Sequence, residues 1–257
     1  MIKDWLKPHR IVLIGIALAM VTAIATQMRW DWLPNYYGDL LSGVGVTLII
    51  LFASCILGIS FAIPLGLFQV TGPAPLAVAS KVFCTLIRGT PLLLQLWLIY
   101  YGVGSLFPQI PWIRESILWP YLREAWPYGV FALTMSFAGY EGEIMRGAFA
   151  GVPAGELEAA KAYGMSRWTI LRRIWLPRAL HRVLPTLAGE VVLQLKSTPL
   201  VATITVVDVY AVISKIRQET YIVYEPMLLL ALIYLCLTGI LVSTFTYFEN
   251  KIPTRDA

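Results

Sequence analysis

The feature that most constrains this chain is a series of apolar blocks long enough to cross hydrocarbon, at 11–28, 43–70, 85–107, 128–150, 184–207 and 227–248. Inside a bilayer no water bonds the backbone N–H and C=O groups, so a run of about 20 mostly apolar residues has a helix as its solution there. The composition agrees, since 14% of the residues are charged, against roughly 25% in soluble domains. The expected fold is an all-α integral membrane protein with six transmembrane helices.

Cations orient the spans, because short cytoplasmic loops retain lysine and arginine. With the N-terminus inside, the cytoplasmic face collects Lys3, Lys7, Arg10, Lys81, Arg88, Arg146, Lys161, Arg167, Arg172, Arg173, Arg178, Arg182, Lys251 and Arg255, and the outer face Arg29, Arg114, Arg123, Lys215 and Arg217. Trp30, Trp32, Trp112, Trp119 and Trp126 fall near proposed outer interfaces, where indole rings favour the headgroup layer. The expectation is a multi-pass membrane protein with both termini cytoplasmic. The net charge of +5 flanks spans, so it serves topology and gives no reason to expect nucleic acid. Lys3, Lys7 and Arg10 before the first span resemble a signal peptide, but Gln27-Met28-Arg29-Trp30 offers no small-residue cleavage site, so this span is read as a retained anchor. Cys55, Cys84 and Cys236 stand singly in apolar segments, and His9 and His181 sit in basic flanks, which makes neither a metal site nor a catalytic pair.

The loop at 151–183 is too long to be a mere connection. Pro153 followed by Glu156 and Glu158 predicts a helix start, with acids at the positive end of its dipole, and Gly164 predicts its stop in a left-handed conformation. Ser166 then caps a second helix with Trp168, Leu171, Ile174 and Trp175 on one face and Arg167, Arg172 and Arg173 elsewhere, which Pro177 keeps from simply continuing. Such a basic helix pair could lie on anionic lipid. However, Leu157, Ala159, Ala160 and Ala162 give the first helix a small-residue surface suited to packing on protein.

At this loop the sequence resembles a known family. Glu158-Ala159-Ala160, three residues, Gly164, nine residues and Ile174-Trp175-Leu176-Pro177 are similar to the EAA loop of binding-protein-dependent ABC permeases. Arg88-Gly89-Thr90-Pro91 with Gln95, Tyr140 with Glu143 and Gly147, and Lys196-Ser197-Thr198-Pro199-Leu200 look like its polar amino acid branch, which includes histidine, arginine and opine permeases. The resemblance spans about residues 42 to 250. It implies a five-helix permease core at 40–250, to which 1–39 adds an anchor helix and outer loop and 251–257 a cytoplasmic tail. It implies a transport subunit rather than an enzyme, with Glu158, Ala159, Ala160, Gly164, Ile174, Leu176 and Pro177 coupling to a separate ATPase, and Arg88, Gly89, Thr90, Pro91, Tyr140, Glu143, Lys196 and Ser197 as structural motif positions. The implied partners are two cytosolic ATPase copies, which carry ATP and Mg, a periplasmic binding protein, and a second permease, a paralogue in preference to a second copy. No cofactor is expected on this chain, and no G-x-x-x-x-G-K-[ST] loop occurs in it.

Charges at membrane depth are costly and therefore pair or face a cavity. Glu143 and Arg146, three apart, predict an intrahelical pair, and Lys196 pairs with Glu190 or a partner subunit. Glu141 lies about 200° around the helix from Glu143. Either it meets the cationic end of a substrate, together with Gln95 and Thr134 or Ser136, or it pairs with an arginine elsewhere in the complex. The expected function is ATP-driven import of a polar, basic amino acid or opine by alternating access. The alternative, a gradient-driven transporter or channel, would show internal repeats, and none is evident.

Overall fold

The computed structural model describes residues 28–251 and six isolated positions before them, at 12, 15, 16, 19, 20 and 22, all helical. The span expected at 11–28 otherwise lies outside the described residues, as does most of the tail expected at 251–257. Among the described residues the structure is helical, with no strand. Its main elements are α1 (Leu33–Thr71), α2 (Ala74–Gly89), α3 (Leu92–Gln109), α4 (Trp126–Ala150), α5 (Ala154–Ala162), α6 (Arg167–Ile204), α7 (Val209–Thr220) and α8 (Tyr224–Lys251). By length and composition α1 and α8 are long and apolar enough to cross a membrane, and α2 with α3 and α6 with α7 qualify as two bent pairs. At 39 residues, α1 is roughly 60 Å long. It begins at Leu33, so its first turns take up part of the outer loop expected to run to 39.

The bundle is organised around α4. Its Leu133, Phe137, Glu141, Met145 and Phe149 are all buried, so one full stripe of this helix faces protein. Two glycines of α1 set the closest crossing. A Cβ on Gly58 would lie 2.7 Å from the Phe137 ring, and one on Gly66 would lie 2.7 Å from the Arg146 backbone nitrogen, so neither position has room for a side chain. Gly43 meets Val209 in the same way, whereas Gly45 and Gly102 have nothing within 4 Å. These contacts fix direction: α1 and α4 run parallel, and α6 runs antiparallel to α4, with Trp175 bonding the Phe149 carbonyl at one end and Gln194 the Leu133 carbonyl nearer the other. Between two parallel helices α2 and α3 together return the chain to its starting side.

The span expected at 85–107 is not straight, because α2 and α3 meet at 105°. Pro91 pushes the residue before it out of helical space, and Thr90 sits accordingly at φ −118°, ψ 143°. Pro177 does the opposite of what its sequence context predicts: the helix continues through it to Ser197. The chain widens into a π-turn at Leu171–Trp175 just before the proline, and such a turn re-registers the carbonyls that the ring would otherwise strike. The same turn changes the buried face. Ile170, Leu171 and Trp175 point inward, while Trp168, expected among them, is 68% exposed. Helix α7, unpredicted, follows a left-handed Thr205 and is capped by Asp208, whose Oδ1 accepts from Ala211 N at 2.9 Å.

Candidate functional site

Two places in the fold bring predicted residues together. The first is a cavity of ≈ 230 Å³ between α4, α6 and the α2–α3 bend, with Thr90, Ser136, Tyr140, Glu190, Gln194 and Ser197 as its polar lining. Ser136 was expected on the substrate path, and Thr90, Tyr140 and Ser197 were expected as motif positions. Glu190 and Gln194 were not expected at a site. Gln194 is buried and ties three helices, donating to Ser54 Oγ at 3.0 Å and to the Leu133 carbonyl at 3.1 Å. Glu190 makes no ion pair within 4 Å among the described residues. Lys196, offered as its partner, faces a different groove beside Pro199, Met227 and Tyr234.

The other expected path residues stand behind this cavity. Gln95 donates through Nε2 to the carbonyls of Ile87 (2.8 Å) and Thr90 (3.1 Å) and to Thr90 Oγ1 (2.8 Å), which clips the α2–α3 bend. Thr134 is buried, and Glu141 is 1% exposed, with its Oε1 lacking a hydrogen-bond partner in the structure. Glu141 lies near enough to Glu190 for their charges to repel. Among the motif residues, Arg88, Tyr140 and Glu143 form one cluster. The Arg88 guanidinium lies 5.7 Å from the Tyr140 ring centre and 4.0 Å from Glu143, and Glu143 also takes Arg146 at 3.0 Å, the pair its spacing predicts.

The second place is the helical knob on the end of the bundle where α4 stops. Helix α5 ends in a Schellman motif: Met165 N bonds the Ala160 carbonyl (3.1 Å), Gly164 N bonds the Lys161 carbonyl (2.9 Å), and Gly164 takes φ +76°. Ser166 then caps the next turn through Thr169 N at 3.3 Å. The knob is pinned to the bundle by Trp175, whose indole N–H donates to the Phe149 carbonyl at 2.9 Å, and by an Arg178–Glu156 ion pair of 3.0 Å. Ala160 is buried beneath α5, Glu158, Ala159 and Gly164 lie on its exposed side, and Ile174 and Pro177 line a groove of ≈ 640 Å³ beside it together with Ala159 and Ala160. Leu176 packs with Phe149 and Val183 at the base. Tyr163 and Trp168 complete a knob surface that this chain leaves open.

The fold is thus a helical membrane bundle with a polar cavity among its helices and an exposed helical knob at one end. Residues 56–253 match the family described as binding-protein-dependent transport system inner membrane component, and the chain belongs to that family. It is a permease subunit of an ABC importer, not itself an enzyme, and it works with an ATPase and a substrate-binding protein. It is 40% identical over 210 residues to the octopine transport system permease protein OccM of Rhizobium radiobacter, covering 82% of this chain and 84% of that one. It is 35% identical over 225 residues to the histidine/lysine/arginine/ornithine transport system permease protein HisM of Salmonella typhimurium, covering 88% and 94%. A solved amino acid ABC transporter with histidines superposes with a TM-score of 0.74 at 28% identity, over 88% of this chain and 99% of that one. The inward-facing MetNI methionine ABC transporter shares the fold, with a TM-score of 0.62 at 19% identity over 87% and 97%.

Proposed function

We propose that the chain carries a cationic amino acid or opine through the inner membrane, past the cavity at Glu190. The observation that carries this reading is an acidic side chain without an ion-pair partner among the described residues, in a polar cavity inside a membrane bundle. Arg88 acts on its charge from beyond ion-pair distance, which leaves the carboxylate free to take a visiting cation at membrane depth. The relatives support the class, since one is named for octopine and another for histidine, lysine, arginine and ornithine. Ser136, Thr90 and Ser197 supply neutral hydrogen-bonding groups around the same space, and Glu141, with Thr134, forms a layer behind it. Gln95 contributes through the bend it holds.

The chain crosses the membrane six times, with both termini in the cytoplasm. The parallel run of α1 and α4 supports counting the α2–α3 pair as one crossing, the antiparallel run of α6 supports the same for α6 with α7, and the charge bias supports the orientation. Helix α5 then seats in a groove of the ATPase through Glu158, Ala159 and Gly164. Two ATPase copies, holding ATP and Mg, drive a pair of permeases between inward-open and outward-open states, and a periplasmic binding protein delivers the substrate. This chain holds no cofactor. The test is uptake of labelled arginine and lysine into proteoliposomes holding the whole complex and its binding protein. Uptake that needs ATP inside and the binding protein outside is expected. Uptake that persists without ATP under a proton or sodium gradient would overturn the reading.

A further inference from the structure

We infer that the end of the bundle where α1 and α4 terminate carries a site for an anionic phospholipid, held by its phosphate between Lys81 and Arg146. The space is a cavity of ≈ 430 Å³ between α1, α2 and α4, lined by Gln69, Ala77, Val78, Lys81, Glu143 and Arg146. Its charge does not balance. Arg146 at 3.0 Å and Arg88 at 4.0 Å share one oxygen of one carboxylate, Glu143 Oε2, and Lys81 makes no ion pair among the described residues. The lining itself holds Lys81 and Arg146 against one acid, Glu143, which leaves a positive charge that an anion would neutralise.

The depth and the walls select a lipid as the source of that anion. Gln69 is two residues from the end of α1 and Arg146 four from the end of α4, which sets the cavity within about a turn of the bundle surface, where headgroups lie. Val78, three positions before Lys81, stands beside it on α2, and Val82 and Leu86, four and eight positions on from Val78, extend an apolar stripe from there. Val78 is 61% and Leu86 61% exposed, and they continue that face along the helix. A phosphate in the cavity would therefore have its acyl chains laid along α2, the arrangement by which basic pockets between membrane helices hold lipid headgroups. The site needs the chain only to be a membrane protein, and it stands whatever the transported substrate is.

The test is native mass spectrometry of the delipidated complex after adding back dioleoyl phosphatidylglycerol or dioleoyl phosphatidylcholine. The wild type is expected to retain phosphatidylglycerol at least fivefold over phosphatidylcholine. Lys81→Gln is expected to lose that preference, and Arg114→Gln, in the connection between α3 and α4, to keep it. Val82→Asn, which leaves the charges in place, should weaken retention of the lipid by a few fold. Undiminished retention in Lys81→Gln, equal retention of the two lipids, or full displacement by millimolar inorganic phosphate would each overturn the assignment.

Discussion

Glu190 and Glu141 are carboxylic acids of one bundle whose surroundings ask different things of them. Glu190 opens on a cavity that a solute can enter, while Glu141 is 1% exposed behind it. A charge-assisted hydrogen bond is worth about 1.5–3 kcal/mol, and 1.4 kcal/mol is a factor of ten in affinity. Glu190→Gln should therefore raise the KM for lysine or arginine uptake roughly tenfold, and Glu141→Gln should leave it within about twofold. Concentration-dependent uptake into proteoliposomes measures both, and the larger loss falling on Glu141→Gln would mean that the inner carboxyl reaches the substrate in another state of the cycle. The sequence marks Glu141 because a charge in an apolar run is conspicuous, but helical periodicity reports a face and not a depth, so it could not separate the lining of the cavity from the layer behind. For Glu190 and Lys196 the spacing did hold the answer. Six positions are about 240° around a helix, which sends the two side chains to different surfaces, as the structure has them.

At the scale of elements the knob was the most legible part of the chain, because capping chemistry is local. A proline start, a glycine stop and a serine cap each act within a few residues, and all three sit where their spacing predicts. Gly164 gives the sharpest test. Nothing lies within 4 Å of a Cβ placed there, so a substitution acts through the backbone alone, at φ +76°. A β-branched residue in left-handed conformation costs on the order of 1–3 kcal/mol, whereas asparagine tolerates it. Gly164→Val should thus cut ATP-driven uptake about fivefold or more, and Gly164→Asn should restore much of it; equal uptake by Gly164→Val and wild type would remove the knob from the coupling path. The course of the helix through Pro177 was not legible, since it depends on a π-turn that Trp175 helps fix by reaching the Phe149 carbonyl 26 residues away in sequence. Helix α7 was legible in retrospect. Val209, Val212, Ile213 and Ile216 recur at helical spacing and are all buried, but Lys215, Arg217 and Glu219 among and after them gave the segment the look of an outer loop.

For the molecule as a whole, the arrangement of walls bears on what else is needed to transport anything. Within the chain α4 is covered by α1, α2, α3 and α6, yet at the polar cavity Tyr140 is 42% and Leu193 55% exposed. A cavity whose rim faces outward needs a second wall to become a path with two gates, and the proposed second permease would supply it. We expect that wall to be a paralogue, so that one complex holds one copy of this chain, one of its mate and two ATPases. Mass measurement of the intact complex reads the ratio directly, and Leu193→Cys should form a disulfide with a cysteine placed on the facing helix of the mate. Two copies of this chain crosslinked through Leu193→Cys, with uptake intact, would replace the mixed pair by a symmetric one.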